Sequence, residues 1–532
     1  MPMQVILAGY NIDRDIIDDI KSRLKDWQDK LDPKQLSALK GEALHEIAAA
    51  VYRELKRLNR QDNLTPETLS AAYARISRNP APVNELRKIA REEIDKARKS
   101  NKTIIFGLGH SSVAEHAVFN IDIIGVSRYI VEEIEKFRLN AYTEKSQRYI
   151  LLEDDYVVPE EIKKSGHAEL FENTIRQQNK MYFKLYDRLL PYVLEVHPDL
   201  AKDKKNTSLL EGLAKEDARY IMPLAAEAQL GMTANARNLE LMLSRTASHP
   251  LAEVREFSKK LYDEVVHIAP SVIKYPEATD YFTHGREEVK KTAKDLLNKL
   301  SPEMMTTEKD HPYSLKDVSI WQFTPHPHVL IAASLLYAEG SRSMQDCIHA
   351  AMQLTPEDIR KLYYASWQRM ESWDTVLREF ENVSILYEIT LSASCFGQMK
   401  RHRMTSQHLQ PYDPALDVTI PFSISAVGME NEFRELIAQI DDVYCTLQKA
   451  VPLAAPYILT NAHRRRMLLQ VNARELYHIS RLREDKHAQW DIRNIAGQMT
   501  ALAQQAVPVI FDFACGKDSF DDRRRELFEK EE

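Results

Sequence analysis

Residues 117–126 read AVFNIDIIGV, and the chain then runs through one helical segment to KFRLNAYTEKSQRY at 136–149. A later stretch, 233–250, reads TANARNLELMLSRTASHP. The same order returns in the second half. There VSILYEITL at 383–391 leads through a helical segment to RHRMTSQHLQPYDP at 401–414, and QVNARELYHISRLREDKHAQW comes after it at 470–490. Alternating or β-branched runs such as AVFNIDIIGV and VSILYEITL predict strands, whereas the stretches carrying N-A-R read as helices. The tripeptides Asn235–Arg237 and Asn472–Arg474 each precede an Arg and then a His. Three shared letters are a weak match. A repeated order of elements is a stronger one, and it marks two homologous units.

Working outward, 532 residues at 44% hydrophobic exceed one ordinary domain and predict two large ones. Apolar residues spaced by three and four over 16–31, 36–58 and 171–194 make helices the main element. VSIWQF at 318–323 reads as a further strand. A charged helical pattern over 287–305 runs into Ser301-Pro302, and VSIWQF begins afresh after His311-Pro312. The expected units are therefore 1–308 and 309–532, with helical insertions over about 13–63 and 352–370. The predicted class is α+β, helix-rich with a small mixed sheet in each unit.

The formal charge is −7, with both signs interspersed, which argues against bulk nucleic-acid binding. No apolar run approaches the roughly 20 residues that span a bilayer. The four cysteines are far apart and lack any C-x-x-C pair, so they read as buried or idle thiols of a reducing compartment. A cytoplasmic location is expected. His463-Arg464-Arg465-Arg466 is the strongest basic run; lacking interleaved aromatics, it reads as a surface or interface helix. No histidine spacing matches H-E-x-x-H, and no metal site is predicted. Gly107-x-Gly109 lacks the third glycine of a dinucleotide fingerprint.

The two halves resemble the flavin-dependent thymidylate synthase family. Its signature is R-H-R followed by S-x-R-Y, with N-A-R and a downstream L-R-x-D-x-H-A-Q-W. In the first half, Ala74 to Ser77 matches an A-R-x-S segment and His110 to His116 an H-x-[ST]-x-x-E-H segment. Glu144, Ser146, Arg148 and Tyr149 match the nucleotide end of the signature, and Glu216 and Arg219 match the E-x-x-R before N-A-R. Lys136-Phe137-Arg138 replaces R-H-R, and Leu241 replaces the usual Asn or His. The second half shows the reverse loss. Arg401-His402-Arg403 is complete, but Pro411, Asp413 and Pro456 stand at the positions of the family's Ser and two arginines.

The resemblance implies FAD as cofactor, held by Ser77, Ser112, Glu144, Arg401, His402, Arg403, Asn472, Arg474, His478 and His487. It implies Ser146, Arg148, Arg219 and Asn235 as ligands of dUMP or a related pyrimidine nucleotide. Arg245 and Arg483 match the arginine that faces the pyrimidine and would act in catalysis. Planar guanidinium forks suit phosphates better than flexible lysines. The implied reaction is reductive methylation of dUMP with methylenetetrahydrofolate and NADPH. Because family sites form between subunits of a tetramer, complementary losses in one chain imply a homodimer, a pseudo-tetramer in which one class of site is complete. Two other readings stay open: a flavoenzyme acting on another pyrimidine or one-carbon donor, and a non-catalytic flavin- or nucleotide-binding homologue.

Overall fold

The computed structural model describes residues 2–30, 41–58, 64–147, 155–299 and 312–529. Its two compact units interleave in sequence: Met1–Val126, Leu139–Lys145 and Ala228–Thr292 form one, and Ser127–Arg138, Ser146–Glu227 and Ala293–Glu532 the other. The expected boundary at 308/309 lies outside the described residues.

The first sheet has strands β1 (Gln4–Tyr10), β2 (Val118–Ser127), β3 (Ala141–Glu144) and β4 (Glu227–Asn235) in the order β1-β2-β4-β3. Phe119, Ile121 and Ile123 are buried while Asn120 and Asp122 are exposed, the period of two that makes this segment a half-buried strand. β1 runs antiparallel to β2 with a register shift between Leu7 and Gly9. Asn235 ends β4 and caps the helix α2 (Ala236–Ala247), its Oδ1 accepting from the Asn238 N–H at 2.9 Å. Leu239, Met242 and Leu243 of α2 are buried.

The second sheet repeats this plan. Strands β5 (Val318–Phe323), β6 (Ser384–Ser392), β7 (Ser406–Leu409) and β8 (Arg464–Asn472) stand in the order β5-β6-β8-β7. A register shift lies between Ile320 and Gln322 of β5, at the place matching the one in β1. Ser392 caps α3 (Ala393–Met399), Asn472 caps α4 (Ala473–Arg483), and Gln489 caps α5 (Trp490–Ala506). The two sheets of like order agree with the repeat read from the sequence. The mixed sheet is corrected, since every pair of the second sheet is antiparallel. The chain re-enters the sheet from the end at which it left, and antiparallel neighbours result. β4 and β8 also correct the helical reading of the N-A-R stretches, whose leading residues close a strand before the helix begins.

His463 to Arg466 is corrected as well. Arg464 opens β8, and Arg465, Met467, Leu469 and Val471 alternate inward with 5% exposure or less. Arg465 sits between the rings of Phe396 and Tyr412, at 3.9 and 4.3 Å from their centroids, and pairs with Glu132 at 2.7 Å. Its charge is therefore buried rather than solvated.

Glu132 belongs to the helix α1 (Arg128–Glu135), which follows β2 as α3 follows β6 and is capped by Ser127. α1 lies in the second unit. There Tyr412 Oη donates to Glu132 at 2.6 Å, Lys400 pairs with Glu135 at 2.9 Å, and Arg128 Nε donates to Asn461 at 3.2 Å. Gly397 of α3 leaves room for this packing, since a Cβ there would meet the end of the Arg128 side chain and the guanidinium would have to shift. The remaining core gathers around Trp367, which is fully buried against Tyr363, Phe380, Tyr477 and Phe513. Among the described residues, no helix is long and apolar enough to cross a membrane. The four cysteines are free, with Cys347 and Cys395 buried.

Candidate functional site

β6 delivers the chain to α3, a seven-residue helix, and the R-H-R turn comes directly after it. His402 is 3% exposed. Its carbonyl accepts from Thr405 Oγ1 at 2.7 Å and from Gln407 Nε2 at 3.3 Å, which fixes the turn before β7 begins. Arg401 and Arg403 flank this buried anchor and are both exposed.

The imidazole of His402 is held from α4. Arg483 Nε donates to His402 Nε2 at 2.9 Å, and Glu475 Oε1 lies 3.4 Å from Nδ1. Burial, with the Arg483 charge also opposing protonation, lowers the His402 pKa and keeps the ring neutral. A neutral ring that accepts at Nε2 carries its proton on Nδ1, facing Glu475. His402, Glu475 and His478 offer atoms within 4.8 Å of one another, a metal-like trio. That tautomer turns an N–H toward Glu475.

Arg483 also grips α3. Its Nη1 donates to Gln398 Oε1 and its Nη2 to the Gln398 carbonyl, each at 3.2 Å. Arg219, 6% exposed, donates from Nη2 to Ser394 Oγ at 3.0 Å. Ser394 and Gln398 are four residues apart on one helix, hence on one face and about 6 Å apart along the axis. One arginine from each half of the sequence is thus set on the same face of α3.

Beside Arg219 the two halves mesh further. Tyr220 stacks on Trp490 at 5.5 Å, donates to Asp491 at 3.0 Å and accepts from Gln489 at 2.8 Å. Trp490 Nε1 donates to Asp217 at 2.8 Å, and Ser423 donates to the same carboxyl at 2.5 Å. Burial pushes Asp217 up to about 6. The H-A-Q-W segment therefore uses Gln489 and Trp490 to hold the first copy's Asp217 and Tyr220.

Several of the predicted residues are committed elsewhere. Arg474 spends its fork on the 375–381 segment: Nε on the Val376 carbonyl at 2.9 Å, Nη1 on Glu381 at 3.1 Å and Nη2 on Thr375 at 3.1 Å. Asn472 and Asn235 use their amide oxygens as helix caps. His478 is exposed beside His402, with ring centroids 5.9 Å apart. The His487 side chain is 79% exposed and pairs with Asp485. In the first unit, Ser77 and Ser112 are exposed, Glu144 ends β3, and Arg245 is exposed with its guanidinium 5.0 Å from the Phe282 ring centroid. Ser146 lies in the second unit, partly buried. Arg148 lies outside the described residues. The first copy's Lys136, standing for the first Arg of R-H-R, is tied to Glu133 at 2.5 Å. Sequence reasoning did not find Gln398, Glu475, Asp217 or Tyr220. Glu475 had a usable signal, midway between Asn472 and His478 at helical spacing.

Two long segments, 61–271 and 320–509, match the model of a family described as thymidylate synthase complementing protein. The chain belongs to that family. This family member is 31% identical over 216 residues to the flavin-dependent thymidylate synthase of Clostridium tetani, covering 40% of the present chain and 82% of that protein. It is 23% identical over 440 residues to a Chlamydia muridarum protein named UPF0159 protein, covering 79% and 81% of the two chains. Among solved structures, it is similar to thymidylate synthase X from Helicobacter pylori with FAD and dUMP. That match has 16% identity and a TM-score of 0.28, and it covers 52% of this chain and 98% of that one.

Proposed function

We propose that this family member is an FAD-dependent thymidylate synthase-like enzyme that reductively methylates dUMP to dTMP, with methylenetetrahydrofolate as one-carbon donor and NADPH as reductant. The observation that carries the reading is α3, which receives Arg219 from the first copy and Arg483 from the second on one face. The name of the Clostridium relative supports the choice of a flavin and of a thymidylate-forming reaction.

The residues fit a flavin at the R-H-R turn. A neutral, buried His402 anchors the loop while Arg401 and Arg403 stand exposed on either side, where they would hold the diphosphate. Arg474, already committed to Glu381, would not. When bound, the flavin supplies hydride chemistry. The protein's own part is positioning. Arg219 would hold the nucleotide's anionic end, and Arg483, its plane fixed by His402 and Gln398, would stabilise negative charge that develops on the pyrimidine. Arg148, Ser146 and Glu144 would complete the nucleotide end across a homodimer seam.

The test begins with purified full-length protein. FAD absorbance and growth of a thymidine auxotroph on the expressed chain are the expected results, and Arg483→Lys, which keeps the charge but loses the fork, should reduce turnover by about 10²-fold or more. FAD binding without rescue would point to another pyrimidine or one-carbon donor. A colourless protein with no affinity for FAD would overturn the reading.

A further inference from the structure

Glu475 is the third residue of α4, and its N–H donates to the capping Asn472 Oδ1 at 2.8 Å. A glutamate there can turn its carboxylate back to the N–H of the cap residue. Here the carboxylate lies against the buried His402 instead, 3.4 Å from Nδ1, and no lysine or arginine pairs with it among the described residues. Arg483 Nε reaches the other ring nitrogen at 2.9 Å. The imidazole thus stands between a negative group at Nδ1 and a positive group at Nε2. A neutral ring in such a field keeps its proton on the anionic side and its lone pair on the cationic side. At 3.4 Å the contact is longer than a strong hydrogen bond, so the charge of Glu475 matters more than a single bond. The alternative tautomer would set the Nε2–H against the Arg483 Nε–H, two donors facing each other with no acceptor between them.

The duplication supplies an internal comparison. Asn238 takes the place of Glu475 in the first copy, and its N–H donates to the capping Asn235 at 2.9 Å in the same way. Phe137 stands there in place of His402. The copy with no imidazole in its R-H-R turn also has no carboxylate to orient one. We propose that Glu475 is a positioning residue: its charge selects the Nδ1–H tautomer of His402, which leaves Nε2 to accept from Arg483 and so fixes the plane of the guanidinium. Gln398 holds the other end of the fork. The inference rests on the proposed function for its effect on turnover only, since the tautomer is a property of the free protein.

The full-length protein, with its histidine rings isotope-labelled and no FAD added, is the sample, held at about pH 8, where ordinary imidazoles are neutral. Long-range proton–nitrogen NMR spectra read the tautomer, and His402→Gln identifies the resonance. Wild type should carry the proton on Nδ1. Glu475→Gln, nearly isosteric, keeps an acceptor but loses the charge, and its ratio of Nδ1–H to Nε2–H should fall by about tenfold. Glu475→Leu should lower the ratio at least as far, and Glu475→Gln carries the test should the leucine variant fail to fold. A merely structural glutamate would move Tm and leave the ratio alone. With FAD bound and dUMP as substrate, Glu475→Gln should lower kcat by about tenfold while KM for dUMP changes less than about twofold, because Arg483 is misaimed rather than removed. A wild-type proton on Nε2, a doubly protonated ring, an unchanged ratio in Glu475→Gln, or a shifted ratio with unchanged kcat in an active enzyme overturns the proposal. A shifted ratio in a protein that makes no dTMP supports the tautomer assignment and counts against the thymidylate reading alone.

Discussion

Replacing Glu132 with leucine probes the lock between α1 of the first copy and β8 of the second. Two groups depend on that carboxylate, the Arg465 guanidinium at 2.7 Å and the Tyr412 hydroxyl at 2.6 Å. The Glu132 and Arg465 side chains are only 8% and 6% exposed, so solvent screens the pair little. Leucine would strand the guanidinium between the Phe396 and Tyr412 rings, and breaking one side of such a buried pair costs about 3–5 kcal/mol. At a urea slope of roughly 3 kcal/mol/M, that is a fall in midpoint of more than about 1 M. Urea unfolding followed by tryptophan emission reads it, with the buried Trp367 as reporter. The double variant Glu132→Leu/Arg465→Met removes both charges and should recover most of the loss, since well-packed apolar replacements of a buried pair are often neutral. A Glu132→Leu midpoint within about 0.3 M of wild type, or a double variant as weak as the two single losses combined, would refute the claim that the burden is an unpaired charge.

Three further outcomes are expected. Asn472→Ala and Asn235→Ala should each cost about 1 kcal/mol of stability through the lost cap, measured by the same unfolding assay. The Asp217 carboxyl titrates near 6 when folded, against an ordinary value of 3.8, so stability is greatest below about 4 and falls as pH rises through about 6. The partly buried position limits the loss to no more than about 3 kcal/mol, and a Tm–pH profile from 4 to 8 should flatten in Asp217→Asn. Finally, Arg403→Ala and Arg148→Ala chains, each inactive alone, should regain activity when mixed and allowed to exchange subunits if sites are shared between chains; no regain would restrict each site to a single chain.

The central strands β2 and β6 were legible because apolar residues alternate along them, and VSIWQF was legible as β5. β4 and β8 were hidden by the helices at their C-terminal ends: Asn235 and Asn472 close a strand and cap a helix at once, so a helical reading of the N-A-R stretches swallowed the strand ends. β3 and β7, four residues each, give too short a period to read. In the site, the motif letters pointed to Arg401, His402, Arg403 and Arg483, and the structure links His402 to Arg483 directly. The fate of Arg474 could not be read, because it is decided by Glu381 and Val376, more than ninety positions away. Arg465 misled for a related reason: local sequence shows a basic run, and only the fold supplies Glu132 and the two rings that make burial tolerable.

The register shifts in β1 and β5 bear on how a chain with two like sheets avoids sticking to itself. Each sheet ends in one strand of only four residues and one strand interrupted by an irregularity. Short or kinked margins offer poor templates for a foreign strand. A duplicated chain faces this hazard doubly, since its own copies are near-matching partners, and blunted margins of this kind would let the duplication persist without fibre formation or exchange of strands between neighbours.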